Sequence, residues 1–121
     1  MTELNLDTMS AEELETELVK YANKTYKTAW AWARAENNLD NLEGRKKDKL
    51  EETKAWLGGK TDAEMERKAR LTKEWLTFKD AILLAKVAER EAKVEYDMAN
   101  LFWKTIHDIL YSRNNSKRIG I

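Results

Sequence analysis

The chain has 121 residues, with no cysteine, no proline, four glycines, and 22 basic side chains balancing 22 acidic ones. That length suits one domain with a modest core, and the missing cysteines exclude a disulfide framework and a thiolate metal site. The zero net charge argues against both a global nucleic-acid footprint and a strongly acidic mimic of DNA.

Charged residues make up 36% of the chain, and the dominance of Ala, Glu, Lys, Leu and Arg is the profile of long or coiled helices. The N-terminus lacks the basic start and apolar core of a signal peptide. The most apolar run, Ala81 to Ala88, is eight residues long and contains Lys86. The expectation is a cytoplasmic protein without a membrane partner.

Residues 1–9 read as a short irregular lead. Ser10-Ala11-Glu12-Glu13 then forms a capping box, in which the Ser hydroxyl accepts from a first-turn amide and Glu13 reaches back. A first helix is expected over about 11–57. Its inner stripe is Leu14, Leu18, Tyr21, Thr25, Trp32, Ala35, Leu39 and Leu42, resuming at Leu50 and ending with Trp56-Leu57. Between the two parts, Glu43 to Lys49 holds no apolar residue and includes Gly44, so a kink or fray belongs there. With no proline to force a break, continuous helix is the expectation.

Gly58-Gly59 stops that helix, and a turn over about 58–61 follows. Thr61-Asp62-Ala63-Glu64 is a second capping box, opening a helix over about 62–111 and leaving a flexible tail at 112–121. Leu71, Trp75, Phe78, Ile82, Ala85, Glu89, Ala92, Tyr96, Ala99, Trp103, Ile106 and Leu110 alternate in steps of four and three, the spacing of a coiled-coil seam. The fold expected is all-α: one long antiparallel helical hairpin.

Both arms also carry apolar residues on a second face. Leu76, Leu83, Val87, Val94, Met98 and Leu101 form a stripe roughly opposite the seam, and Trp30 lies about 200° around the helix from Trp32. A lone hairpin leaves these side chains wet, so the chain is expected to form a homo-oligomeric bundle or dock on a protein partner. Tyr26, Trp30, Leu76, Leu83, Val87, Val94 and Met98 are the expected partner-binding residues. Trp32 joins Tyr26 and Trp30 as a freer aromatic.

The motifs that carry chemistry are weak. His107 is the single histidine, and the residue three before it is Lys104, not the Glu of a helical di-metal site. Gly58-Gly59-Lys60-Thr61 lacks the earlier glycine and the strand of a phosphate-binding loop. Carboxylate pairs such as Glu51/Glu52 belong with helical ion pairs: Glu43 with Lys47, Glu64 with Lys68, Glu66 with Arg70, Glu89 with Lys93. No catalytic residue, metal or cofactor is therefore assigned, and the chain is expected not to be an enzyme. Two basic clusters are weighed as nucleic-acid contacts: Arg45, Lys46, Lys47 and Lys49, and the tail residues Arg113, Lys117 and Arg118.

The order of these features resembles a widespread group of small bacteriophage proteins of unassigned function. The matching stretches are Thr28 to Ala35, Gly59-Lys60-Thr61-Asp62-Ala63-Glu64 through Ala69, and Tyr111-Ser112-Arg113 through Arg118. The resemblance implies a product of an early phage region, acting in the cytoplasm of a bacterial host. The expected role is an accessory of phage recombination or replication. The alternative is an anti-defence inhibitor of host immunity, CRISPR included, or a protein that sequesters a nucleotide signal.

Glu89 is the one charge in the seam, and its expected role is to fix register opposite Arg34 or another first-arm base. Glu89→Leu is expected to raise the melting temperature while loosening pairing specificity. An unchanged or lower melting temperature would count against that role.

Overall fold

The computed structural model describes residues 5–59 and 61–118. Among these the secondary structure is entirely helical. A 3-10 turn at Leu6–Thr8 precedes α1 (Ala11–Gly44), α2 (Lys46–Leu57), α3 (Asp62–Arg70) and α4 (Lys73–Arg118). Of each expected capping box the hydroxyl half forms, while the Glu64 carboxylate turns to Lys68. The Ser10 hydroxyl accepts from the Glu13 amide, and the Thr61 hydroxyl from the Glu64 amide, each at 3.1 Å. The described residues fall into two compact units, one built from the chain up to Trp32 and from Ala92 onward, the other from Ala33–Glu91. Helices α1 and α4 contribute to both.

In the first unit α1 packs along α4 around Leu14 and Ile106, which are fully enclosed. Burying a side chain of that size contributes roughly 1.5–3 kcal/mol. Tyr21 stacks on Phe102 at 5.2 Å and Trp32 on Tyr96 at 5.4 Å. Partner numbers fall as α1 numbers rise, so these two segments run in opposite directions. Leu6 and Met9 of the N-terminal lead close the end of this core.

In the second unit α2 packs against α3, and Ala69, Trp75, Ile82 and Ala85 are buried. The Lys54 side chain is buried as well. Its ammonium donates to Asp62 at 2.6 Å and Glu51 at 3.4 Å, tying the end of α2 to the start of α3. The hydrogen bond from Asp62 holds the Lys54 pKa above its usual 10.5, against the opposing effect of desolvation. A raised folded-state pKa means the pair stabilises the fold fully below the unfolded value, and the contribution is lost as pH rises through the folded one.

The apolar stripe of α4 is inward-facing from Trp75 to Leu110, with Glu89 half-buried in it. The stripe expected to begin at Leu71 does not: Leu71 is 75% exposed. The long second helix is interrupted there. The Thr72 hydroxyl donates to the Ala69 carbonyl at 2.7 Å and accepts from the Trp75 amide at 3.2 Å, capping a fresh helix. A hydroxyl that offers the backbone a local alternative ends one helix and starts the next. The first arm is also divided. Arg45 shares its amide between the Asn41 and Leu42 carbonyls at 3.2 Å each, a tightened turn that separates α1 from α2 where apolar contacts run out. Trp56, expected to end the inner stripe, is 84% exposed.

Helix α4 continues through Arg118, so the segment from 112 expected as a flexible tail is helical as far as it is described. Residues 119–121, like Lys60 of the expected turn, lie outside the described residues.

Gly58 ends α2 with φ of 61°, the left-handed conformation that L side chains avoid. Gly44 has no positive φ, and a Cβ built there meets open space. Gly58→Ala is therefore expected to lower stability by about 1 kcal/mol, and Gly44→Ala to raise it by about 0.5–1 kcal/mol. Paired urea melts of the two variants check both signs.

Candidate functional site

The partner-binding residues expected from sequence all sit at the surface. Tyr26, Trp30, Leu76, Leu83, Val87, Val94 and Met98 range from 51% exposed at Val87 to 66% at Tyr26. In the first unit Tyr26 and Trp30 form an edge-on aromatic pair at 6.3 Å, and Val94, Met98 and Leu101 are exposed on α4. In the second unit Leu76, Leu83, Leu84 and Val87 are exposed. Trp32, expected to be as free as its neighbours, belongs to the interior. It is half-buried, stacked on Tyr96, with the Lys93 ammonium 5.9 Å from its ring.

The nucleic-acid contacts expected at the C-terminal end fare differently. Arg113 is not on a loose tail. Its guanidinium donates to the Met9 carbonyl at 2.8 Å and the Asp7 carbonyl at 3.2 Å, pinning the N-terminal 3-10 turn to α4. The irregular lead leaves those carbonyls without helical donors, and the forked guanidinium supplies two. The side chains of Lys117 and Arg118 lie outside the described residues.

The other basic cluster gains members from elsewhere in the chain. In the second unit an open cleft of about 400 Å³ is lined by Lys46 and Lys47 at the start of α2, Arg70 at the end of α3, Glu43 and Trp75. Arg70 lies 5.8 Å from the Trp75 ring. Lys79, one turn beyond Trp75 on α4, stands against Lys46. That neighbouring ammonium pulls the Lys79 pKa below its usual 10.5, with desolvation, Lys86 and Arg70 acting in the same direction. Sequence reasoning had Lys46 and Lys47 but not Arg70 or Lys79. The available signal was their position around the inward-facing Trp75, Arg70 five residues before it and Lys79 four after it.

Of the expected helical ion pairs, Glu64–Lys68 forms at 3.1 Å and Glu66–Arg70 at 2.7 Å, while Glu43 reaches Lys86 on α4 at 3.6 Å. His107 is exposed and stacked between Trp103 and Tyr111, at 5.3 and 6.5 Å. Among the described residues no three His, Asp or Glu side chains are grouped to hold a metal ion, and no helix is long and apolar enough to cross a membrane.

No family model, curated protein or solved structure matches the chain.

Removing the Arg113 fork leaves two carbonyls to water and frees the lead from α4. Arg113→Ala is expected to cost about 1–2 kcal/mol of stability. Hydrogen exchange provides the check: amides around Thr8 should exchange faster in the variant, with those of the Lys54–Asp62 region unchanged.

Proposed function

We propose that this chain is a non-enzymatic phage protein that binds another macromolecule through its outer helix faces, in the setting of phage recombination or replication in a bacterial cytoplasm. In this proposal the two arms form one long antiparallel hairpin, and copies of it associate into a helical bundle. The observation that supports it is the set of large apolar side chains left at the surface, with Val94, Met98 and Leu101 beside the inward-facing Tyr96 and Ala99 on the same helix.

A helix with one apolar stripe needs one partner, and a second stripe needs another. Each exposed Leu, Val or Met covered on association contributes up to about 1.5–3 kcal/mol. Aromatic pairs such as Tyr26–Trp30 are the usual anchors of interfaces. Large apolar side chains left grouped at a surface are a usual mark of an interaction face.

The test is solution mass, by light scattering, of the wild type and a Val94→Glu/Met98→Glu variant. The proposal expects a wild-type mass above the 14.2 kDa of one chain, or co-purification of one defined partner from infected cells. It further expects the variant to lose that association while keeping its helical circular dichroism. A wild type that is a stable monomer and retains no partner would overturn it.

A further inference from the structure

We infer that the cleft lined by Lys46, Lys47 and Arg70, with Lys79 beside it, is a binding site for a phosphate-bearing ligand with at least two neighbouring phosphate groups. This inference does not depend on the apolar faces.

The cations converge from three helices. Lys46 and Lys47 open α2 and Arg70 closes α3, all three on the cleft wall, and Lys79 of α4 stands beside the wall against Lys46. The carboxylates nearby are already engaged: Glu66 holds Arg70 at 2.7 Å, and Glu43 holds Lys86 at 3.6 Å. Among the described residues, no carboxylate lies in ion-pair range of Lys46, Lys47 or Lys79.

Such an arrangement opposes folding in two ways. Two ammonium groups face each other, and the repulsion is felt at Lys79 as a lowered pKa. Arg45, Lys46 and Lys47 also occupy the start of α2, the end of a helix dipole that disfavours cations. At the other helix starts acids match or outnumber cations, with Glu12 and Glu13 in α1, Asp62 and Glu64 in α3, and Glu74 beside Lys73 in α4. In α2 Asp48 stands alone against Arg45, Lys46 and Lys47. A local conflict within an otherwise consistent fold is the pattern of a site kept for a ligand.

The ligand that resolves the conflict is an anion of high charge density. Phosphate oxygens accept several charge-assisted hydrogen bonds at once, and the Arg70 fork suits them geometrically. Arg70 spends Nη2 on Glu66, so its remaining N–H groups and the unpaired Lys46 and Lys79 ammoniums call for more acceptor oxygens than one monoanion brings, which adjacent phosphates supply. The aromatic ring at the cleft, Trp75, is only 3% exposed. It therefore backs the Arg70 guanidinium and offers no face for a base to stack on. Recognition is of the phosphates.

Neighbouring phosphates occur in a nucleotide or free polyphosphate and along a nucleic-acid backbone, and the experiment separates these sources. Pyrophosphate is titrated into the wild-type chain, with sodium sulfate of equal ionic strength as reference, and melting temperature and calorimetric affinity are read. The expected result is a larger thermal shift with pyrophosphate than with sulfate. Lys46→Gln/Lys79→Gln should weaken pyrophosphate binding by about tenfold or more. It should also melt higher than the wild type without ligand, since the repulsion is gone. Lys104→Gln, which removes an exposed cation far from the cleft in sequence, should leave the response intact.

A single-stranded 20-mer oligonucleotide is then tested for competition with pyrophosphate. Competition identifies the backbone as the natural source. Pyrophosphate binding without competition identifies a nucleotide or polyphosphate. Equal shifts from sulfate and pyrophosphate, or a response that survives in the double variant, would overturn the inference.

Discussion

The geometry of α4 depends on one requirement: the stripe from Trp75 to Leu110 must leave water, and everything packed on it is arranged to allow that. In the first unit the requirement is met by α1, with Tyr21 and Trp32 stacked on Phe102 and Tyr96. In the second unit Trp75, Ile82 and Ala85 are buried. The helix is not itself strongly apolar, so packing rather than local propensity holds it. Because the stripe occupies only one face, the same helix displays Leu76, Leu83, Val87, Val94, Met98 and Leu101. Interior and candidate interface are two sides of one pattern.

Much of this was legible before any coordinates. Alternating steps of three and four residues separate Trp75, Ile82, Ala99 and Ile106 from the residues between them, and the fully buried positions of α4 follow that division, with Phe102 drawn in from outside it by Tyr21. Ser10 and Thr61 announced their helices because a hydroxyl three residues ahead of a Glu is a local chemical signal. What escaped was local competition that apolar periodicity does not register. Thr72 divides the second arm through two hydrogen bonds of its hydroxyl, which displaces Leu71 from the stripe. Lys54 escaped because a lysine is not counted toward a core. Its ammonium is accepted inside only because Asp62, across the Gly58 turn, comes within 2.6 Å.

The candidate sites divide along the same line. The outer apolar residues could be placed from sequence, since exposure on a helix follows from angle alone. The basic cleft could not. Lys46 and Lys47 stand out as a charge run, but charge runs are usually solvated, and only the fold brings Arg70 and Lys79 to them. Arg113 illustrates the reverse case. In sequence it belongs to a polar basic end, yet it is committed to backbone carbonyls. Charge in a sequence locates a donor, and the unsatisfied acceptors of the fold decide where it is used.

That same arginine orders events during synthesis. Its two carbonyl partners, on Asp7 and Met9, precede their donor by 106 and 104 positions. The fork on the lead therefore cannot form until residue 113 has been made and is free to fold back. A chain truncated anywhere before residue 113 lacks that fork and holds its lead only through the packing of Leu6 and Met9.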